Sequence, residues 1–210
     1  MTDSESHADP IRRTLGRRVL EAGEARVLTI ARSYPTSLAD LWEACTDPER
    51  IPRWFLPVSG ELKVGGRYQL EGNAGGTIEA CDPPHSFAAT WEHGGDVSWI
   101  ELQLTAEGPE TTRFELRHIA HVDDERWTQY GPGAVGVGWD LALLGLGMHL
   151  DGGGVQVDPA AAQAWVGSSE GVAYLRESAD AWGEADAADG GDAAVAAERA
   201  ERTYRFYTGT

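Results

Sequence analysis

The longest apolar stretch of this sequence runs from Ala134 to Leu150 and reads AVGVGWDLALLGLGMHL. On a helix of 3.6 residues per turn it presents two bulky stripes on opposite sides, separated by small or polar residues. The first stripe contains Trp139, Leu143, Leu146 and Leu150, and the second, called here the outer stripe, contains Val137, Leu141, Leu144 and Met148. A bilayer requires about 20 predominantly apolar residues, and this stretch is shorter and interrupted by glycine. We therefore expect a buried helix, covered by a sheet on one side and by something else on the other.

Between Pro57 and this helix, apolar residues alternate with polar ones, which is the period of a β-strand. The first two predicted strands flank Gly65-Gly66, a dipeptide typical of hairpin turns. The six predicted strands are Glu61–Val64, Arg67–Glu71, Gly76–Cys81, His85–His93, Val97–Ala106 and Glu110–Val122. They predict an antiparallel meander with one apolar face, and the long helix is the obvious cover for that face.

The first 23 residues are expected to form an N-terminal segment that is partly flexible. The elements predicted upstream of the meander are edge strands over Ile11–Glu21, a strand over Arg26–Tyr34, a helix from Leu38 to Cys45 and a short helix over Pro48–Phe55. Thr36 or Ser37 can cap the first helix and Asp47 the second. The cluster Asp123–Glu125 is expected to lie in a loop.

Residues 155–210 are rich in alanine, glycine and acidic residues, but they include tryptophans and tyrosines that a disordered tail rarely has. Helix starts are predicted after Asp158, at Ser168 or Ser169, and after Asp192. We expect this helical extension to fold back over the outer stripe of the long helix. Coverage of that stripe by a partner subunit is the alternative, so the sequence leaves a monomer and a homodimer open.

Composition limits the classes of partner and the compartment. With 17 basic and 34 acidic residues, the formal net charge is −17, which disfavours nucleic acids and anionic membranes. Cys45 and Cys81 have no metal-ligand or redox spacing, and the first 20 residues lack the apolar run of a signal peptide. We therefore expect a cytoplasmic protein with one core that requires neither a metal nor a cofactor.

Four blocks of the sequence resemble a known family. YPTSLADLWEACTDPERIPRWF, GELKVGGRYQL, IEACDPPHSFAATW and VGWDLALLGLGMHL occur in the order and spacing of the activator of heat shock protein 90 ATPase homologue family, within the START-like (SRPBCC) superfamily. The resemblance implies an α+β helix-grip fold over residues 24–152, in which a curved antiparallel sheet wraps round a long C-terminal helix. Residues 155–210 are then an extra helical extension. It also implies a cavity between sheet and helix that often takes an apolar or amphipathic ligand.

Strand alternation and the resemblance together predict the ligand-binding wall of that cavity. Its members are Trp54, Phe55, Tyr68, Phe87, Trp91, Leu102, Phe114, His118 and Trp139, with Leu70, Ile100 and Leu116 beside them. The alternative interpretation is that these side chains simply fill a packed core. His118 is a titratable group on the apolar face of a strand, and it is expected either to orient a ligand or to form a structural hydrogen bond. No catalytic set, phosphate loop or metal-binding spacing occurs in the sequence.

Three functional hypotheses remain open at this point. The first is a START-like binding protein for a small hydrophobic or aromatic ligand. The second is an enzyme of the cyclase, dehydratase or hydrolase type that uses His118 and Tyr68 in the same cavity. The third is a chaperone-interacting protein, which is weakened because no segment resembles the separate N-terminal domain of the eukaryotic co-chaperones.

Overall fold

A computed structural model describes residues 10–121, 124–154, 156 and 158–210 of the chain. Within these residues, one antiparallel sheet contains the strands β1 (Arg12–Leu20), β2 (Gly23–Tyr34), β3 (Val58–Gly60), β4 (Arg67–Leu70), β5 (Gly75–Asp82), β6 (Ser86–His93), β7 (Asp96–Gly108) and β8 (Thr111–Ala120). The helices are α1 (Leu38–Thr46), α2 (Asp124–Tyr130), α3 (Gly133–Asp151), α4 (Pro159–Val166), α5 (Ser169–Ala188) and α6 (Ala193–Thr208). A 3-10 turn over Ile51–Arg53 follows α1.

The strand order in the sheet is β1-β2-β8-β7-β6-β5-β4-β3. Each strand from β3 to β8 pairs with the next along the chain, which is the expected meander. β1 pairs with β2 along its whole length, from Arg12 opposite Ala31 to Leu20 opposite Gly23. The sheet therefore begins at residue 12, inside the segment that the sequence assigned to the N-terminal extension. The first nine residues, which were predicted to be flexible, lie outside the described part of the chain.

α3 lies against the inner face of the sheet through the stripe that contains Leu143 and Leu146, both fully buried. The Tyr34 hydroxyl of β2 donates a hydrogen bond to the Leu143 carbonyl at 2.9 Å, which joins sheet and helix. By length and composition alone this helix could cross a membrane, but 56% of its most apolar 18-residue window is buried inside the domain. The predicted fold class, an α+β helix-grip arrangement, is confirmed.

α5 and α6 pack on the small-residue flank of α3 and cover only part of the outer stripe. Val137 is fully buried, whereas Met148 at the other end of the stripe is 56% exposed. Gly136 permits the close packing at the Val137 end, because a Cβ there would overlap the fully buried Trp182 ring of α5. The absence of a side chain at Gly136 lets that ring approach the helix backbone.

Asp140 of α3 is the polar centre of this packing and is completely buried. Its carboxylate accepts hydrogen bonds from the Arg13 guanidinium of β1 at 3.1–3.2 Å, from the Trp182 indole at 3.0 Å and from the Ser178 hydroxyl. The Tyr174 hydroxyl donates to the Asp140 carbonyl at 2.9 Å. Burial raises the pKa of this carboxyl, opposed by the guanidinium. Asp140 thus connects the first strand, the long helix and the C-terminal extension.

Two short elements differ from the sequence prediction. The first strand of the meander is β3, and residues 61–66 form a loop in which the Lys63 amide donates to the Glu61 carbonyl. The loop brings Leu62 to the wall of the cavity described below. The predicted second helix is only a 3-10 turn, because Pro52 has no amide hydrogen to continue a helix.

Candidate functional site

An apolar cavity of about 140 Å³ lies between the inner face of the sheet and α3, closed at one end by α1 and the 3-10 turn. We call it the apolar cavity. Its walls come from α1, the 3-10 turn, the strands β3 to β8, α3 and the loops between them, so only the folded domain assembles them. The lining residues are Cys45, Thr46, Ile51, Trp54, Phe55, Val58, Leu62, Tyr68, Leu70, Ile78, Cys81, Phe87, Ala89, Trp91, Ile100, Leu102, Phe114, Leu116 and Trp139.

Eight of the nine predicted ligand-binding residues lie together on this wall. They are Trp54, Phe55, Tyr68, Phe87, Trp91, Leu102, Phe114 and Trp139. Leu70, Ile100 and Leu116 line it as well. The structure therefore brings these side chains together around one space, while their role in ligand binding stays a prediction. His118 is not on this wall and lines a second cavity, described below.

Aromatic rings form a continuous row along one side of the apolar cavity. Trp54 stacks on Phe55 with ring centroids 5.5 Å apart, and Phe55 stacks on Trp139 at 6.3 Å. The row ends at Trp91, whose ring lies 5.1 Å from that of Trp139. Trp54 is held in place by α1, since its indole N–H donates to the Ala44 carbonyl at 2.9 Å. The row gives this side of the cavity an aromatic, apolar surface.

Polar groups on this wall are bonded to the protein itself. The Tyr68 hydroxyl donates to the Thr90 carbonyl at 2.7 Å, and the Thr46 hydroxyl donates to the Trp42 carbonyl at 2.7 Å. Burial raises the pKa of Tyr68 and raises the pKa of the Cys45 thiol to about 12. Both groups are therefore neutral at physiological pH. The apolar cavity offers dispersion and hydrophobic contact rather than a charge.

A second cavity of about 190 Å³ lies farther along the inner face, towards the end of β8 and under α2. We call it the polar cavity, because Arg26, Asp96, Arg126 and Asp189 line it together with histidines and tryptophans. Sequence reasoning missed it. Its outer wall is α2, and the sequence predicted a loop there; Asp123 of that predicted loop lies outside the described residues.

His118 lies in a chain of hydrogen bonds beside the polar cavity. The Trp139 indole N–H donates to His118 Nδ1 at 3.1 Å, and His118 Nε2 lies 2.9 Å from the Ser98 hydroxyl. That hydroxyl in turn donates to the Trp91 carbonyl at 3.0 Å. Since Nδ1 accepts, the proton is on Nε2 and the ring is neutral. Burial lowers the pKa of His118 to about 4, in agreement with this tautomer.

Several wall residues of the apolar cavity were not predicted. Ala89 lies between the predicted inward positions Phe87 and Trp91, so alternation could have identified it. No inward position was predicted on the strand of Ile78, whose register with β6 shifts between Ile78 and Ala80. Cys45 and Ile51 lie on the helical segment before the meander, which sequence alone could not orient against the sheet. Among the residues that the structure describes, no group of three or more His, Cys, Asp or Glu side chains is arranged to hold a metal ion.

Comparison with known proteins identifies the relatives of this chain. Residues 35–150 match the family described as activator of Hsp90 ATPase homolog 1-like protein. The crystal structure of CalU16 from Micromonospora echinospora is 36% identical, with a TM-score of 0.67 over 84% of this chain and 98% of that chain. Its solution NMR structure is 35% identical, with a TM-score of 0.69 over 87% of this chain and 97% of that chain.

A more distant match supports the fold alone. It is PFC0360w, an HSP90 activator from Plasmodium falciparum, which is 21% identical with a TM-score of 0.52 over 60% of this chain and 96% of that chain. A search of curated proteins gave no match. The family match covers more than half of the sequence, and the similarity to CalU16 extends over nearly all of that protein. This chain therefore belongs to the activator of Hsp90 ATPase homolog 1-like family, within the START-like superfamily that its sequence blocks resemble.

Proposed function

We propose that this protein binds a small apolar ligand, about the size of one aromatic ring, in the apolar cavity. The observation that carries the proposal is the apolar cavity itself, about 140 Å³ of space between the apolar face of the sheet and α3. Protein interiors contain few voids larger than a water molecule, so an apolar space of this size needs an explanation. A binding role accounts for the presence of such a space.

The size and chemistry of the cavity define the ligand class. In another protein, an apolar cavity of about 150 Å³ remains dry and binds benzene. The cavity described here has nearly the same volume, and a row of four aromatic rings forms one side of it. The hydroxyls of Tyr68 and Thr46 already donate to backbone carbonyls, so their hydrogens are not directed at a ligand. This wall therefore favours an uncharged ligand.

The enzyme hypothesis receives less support from the same contacts. His118 and Tyr68 were the two groups expected to act on a substrate. His118 is bonded to Trp139 and Ser98, and Tyr68 is bonded to Thr90. Each would have to break a structural hydrogen bond before it could transfer a proton to a ligand. The family name describes a chaperone activator, but the likeness to the Plasmodium protein supports the fold alone.

The proposal also covers the cellular compartment and the partners of the protein. Cys45 and Cys81 are both free thiols, which agrees with a reducing compartment such as the cytoplasm. The net charge of −17 disfavours nucleic acid and anionic lipid as partners. A monomer or a homodimer fits these properties.

Native mass spectrometry of the freshly purified protein is the first test. A co-purified small molecule would appear as a mass added to the protein and would identify the ligand class. Titration with toluene, followed by NMR chemical shifts of the tryptophan indole N–H groups, is the second test. We expect the resonance of Trp139 to shift, because its ring lines the apolar cavity.

A cavity-filling variant connects the binding to this site. Ala89 is 1% exposed and lines the apolar cavity, so Ala89→Leu is expected to fill it and abolish toluene binding. Overpacking costs about 1–3 kcal/mol, and circular dichroism checks that the variant is folded. Ala106→Leu, at an exposed position of β7 outside both cavities, is the matched control and is expected to bind toluene normally. Equal toluene affinity in both variants would place the ligand elsewhere.

A further inference from the structure

The apolar and polar cavities are neighbours, and the rings of Trp91, Trp139 and His118 lie at the partition between them. Trp91 lines both of them, and its ring lies 5.1 Å from that of Trp139 and 6.1 Å from that of His118. Trp139 is fixed by its hydrogen bond to His118. The Trp91 ring, by contrast, is described in contact only with other rings. Rotation of Trp91 therefore costs less hydrogen bonding than rotation of Trp139.

The volumes show that each cavity alone is small. Small-molecule sites typically have volumes of about 300–1,000 Å³. The apolar cavity, at about 140 Å³, accommodates a single ring, and the polar cavity measures about 190 Å³. Neither reaches the lower end of that range by itself, but the two together do. For a ligand that places one ring in the apolar cavity, the polar cavity is the adjoining space for the remainder.

The polar cavity differs from the apolar one in its charges. Two guanidiniums, from Arg26 and Arg126, lie on its wall with two carboxylates, from Asp96 and Asp189. Arg126 pairs with Asp96 at 2.9 Å, and Arg26 lies over the Trp127 ring at 3.9 Å. Equal numbers of positive and negative groups favour neither an anion nor a cation.

Both hydrogen-bond donors and acceptors are nevertheless present on this wall. Guanidinium groups only donate and carboxylates only accept, whereas a hydroxyl group does both. A wall with both kinds of group therefore suits a hydroxyl-bearing, uncharged part of a ligand better than an ionised one. Trp91 and Trp127 supply apolar surface for the carbon atoms attached to it.

We propose that one amphipathic ligand occupies both cavities, with its ring in the apolar cavity and its uncharged, hydroxyl-bearing end in the polar cavity, after Trp91 has rotated aside. This inference rests on the proposed function, because it assigns the apolar cavity to the ring. It adds a second binding site, the chemistry of the ligand's other end, and a residue that controls access between the two sites.

Calorimetric titration with toluene and 4-phenyl-1-butanol tests the inference. Toluene contains the ring alone, whereas 4-phenyl-1-butanol adds a chain that ends in a hydroxyl. Because each buried CH₂ group contributes to affinity, the alcohol is expected to bind at least about tenfold more tightly than toluene. The anion 4-phenylbutyrate and the cation 4-phenylbutylammonium are expected to bind more weakly than the alcohol. Tighter binding of either ion would overturn the assignment of an uncharged end.

Two variants place the chain of the alcohol in the polar cavity. Ala120→Leu and Val135→Phe both add bulk to its wall, and Val135 is 42% exposed, so the second variant is tolerated even if the first is not. Each is expected to remove the advantage of 4-phenyl-1-butanol over toluene. Ala106→Leu is expected to keep that advantage. If all three variants retain it, or if the wild type shows none, the polar cavity is not part of the site.

The rate of ligand association tests the role of Trp91. Trp91→Ala removes the partition, so 4-phenyl-1-butanol is expected to associate several times faster with the variant than with the wild type. An unchanged association rate would show that Trp91 is not the barrier. Failure of toluene to bind the wild type would refute the proposed function itself. Toluene binding without any gain for the alcohol would refute only the two-cavity inference.

Discussion

His118 shows how one buried polar residue can be stable in an apolar interior. It is 7% exposed, and both ring nitrogens have partners, Trp139 on the helix and Ser98 on the neighbouring strand. A buried polar group without a partner would cost about 1–3 kcal/mol. Since both ends of the ring are bonded, the interpretation that fits best is a structural histidine that fixes the orientation of the Trp139 ring.

The protonation of His118 gives a pH-dependent prediction. In the unfolded chain its pKa is near 6.5, and burial lowers the pKa to about 4 in the folded protein. Between these values the unfolded state binds the proton and the folded state does not, so stability falls as the pH falls from 6.5 to 4. This loss amounts to about 3 kcal/mol and is absent above pH 6.5. The variant His118→Gln lacks it, so the stability difference between wild type and variant is expected to narrow as the pH falls.

Urea unfolding of both proteins at pH 7, 5.5 and 4 measures this difference. At pH 7 the variant is expected to be less stable by roughly 1–3 kcal/mol, because Gln reproduces the two hydrogen bonds imperfectly. His85→Gln, at an exposed turn position, is the control and is expected to follow the wild type at each pH. A constant difference between wild type and His118→Gln would show that the ring is protonated as easily in the folded state as in the unfolded one.

The face of the sheet on which a residue lies was easier to predict than the residues that it contacts. The alternation along β8 correctly placed His118 on the inner face, and the same rule placed Phe114 and Leu116 there. The partners of His118 are Ser98, twenty positions earlier, and Trp139, twenty-one positions later. Their proximity depends on the register between β7 and β8 and on the rotation of α3, and neither can be derived from local sequence.

Among the secondary-structure elements, those with strong local signals were predicted well. α1, α5 and α6 begin after Ser37, Ser168 and Asp192, whose side-chain oxygens accept hydrogen bonds from the first turn of each helix. α2 was missed because its residues form no apolar stripe. It is held instead by distant contacts, since Arg26 lies over the Trp127 ring and Arg202 donates to the Gln129 carbonyl at 2.6 Å.

The docking of α5 on α3 gives a prediction at the scale of elements. Gly136→Ala would push its new Cβ into the Trp182 ring, so the two helices must separate. We expect a loss of about 1–3 kcal/mol from this overpacking. Hydrogen exchange is expected to become faster in α5 and α6 than in the sheet, because their attachment to α3 is weakened.

Gly147→Ala, in the same helix, is the matched control. A Cβ there would lie 3.7 Å from Arg32 and Tyr34, an ordinary contact distance. Because alanine favours a helix over glycine, this variant is expected to be unchanged or more stable by up to about 1 kcal/mol. Equal effects of the two substitutions on stability would mean that the close approach of Trp182 does not determine how α5 packs.

At the scale of the whole molecule, the two ends of the chain meet at Asp140. Arg13 comes from the first strand, and Ser178 and Trp182 come from the C-terminal extension, yet all three donate to the same buried carboxylate. Removal of one partner of a buried ion pair typically lowers the free energy of unfolding by about 3–5 kcal/mol. The extension therefore belongs to the core as much as the sheet does, even though the family match ends at residue 150.

Removal of residues 155–210 tests this dependence. The shortened chain loses Ser178, Trp182 and Leu175. Of the three described side chains that donate to Asp140, only Arg13 then remains, and the fully buried Val137 becomes exposed. Because apolar surface on α3 becomes exposed, the shortened protein is expected to aggregate or self-associate. Its melting temperature is expected to be lower than that of the full protein. Size-exclusion chromatography and circular dichroism measure both effects.

The result also distinguishes the two roles that an added helical extension can have. If the extension were only an appendage, the shortened chain would remain a monomer with the melting temperature of the full protein. Because α5 packs against the helix that forms one wall of the apolar cavity, we expect instead that its loss disturbs that wall. Toluene binding is then lost together with stability, which would show that the C-terminal helices support the ligand site through α3.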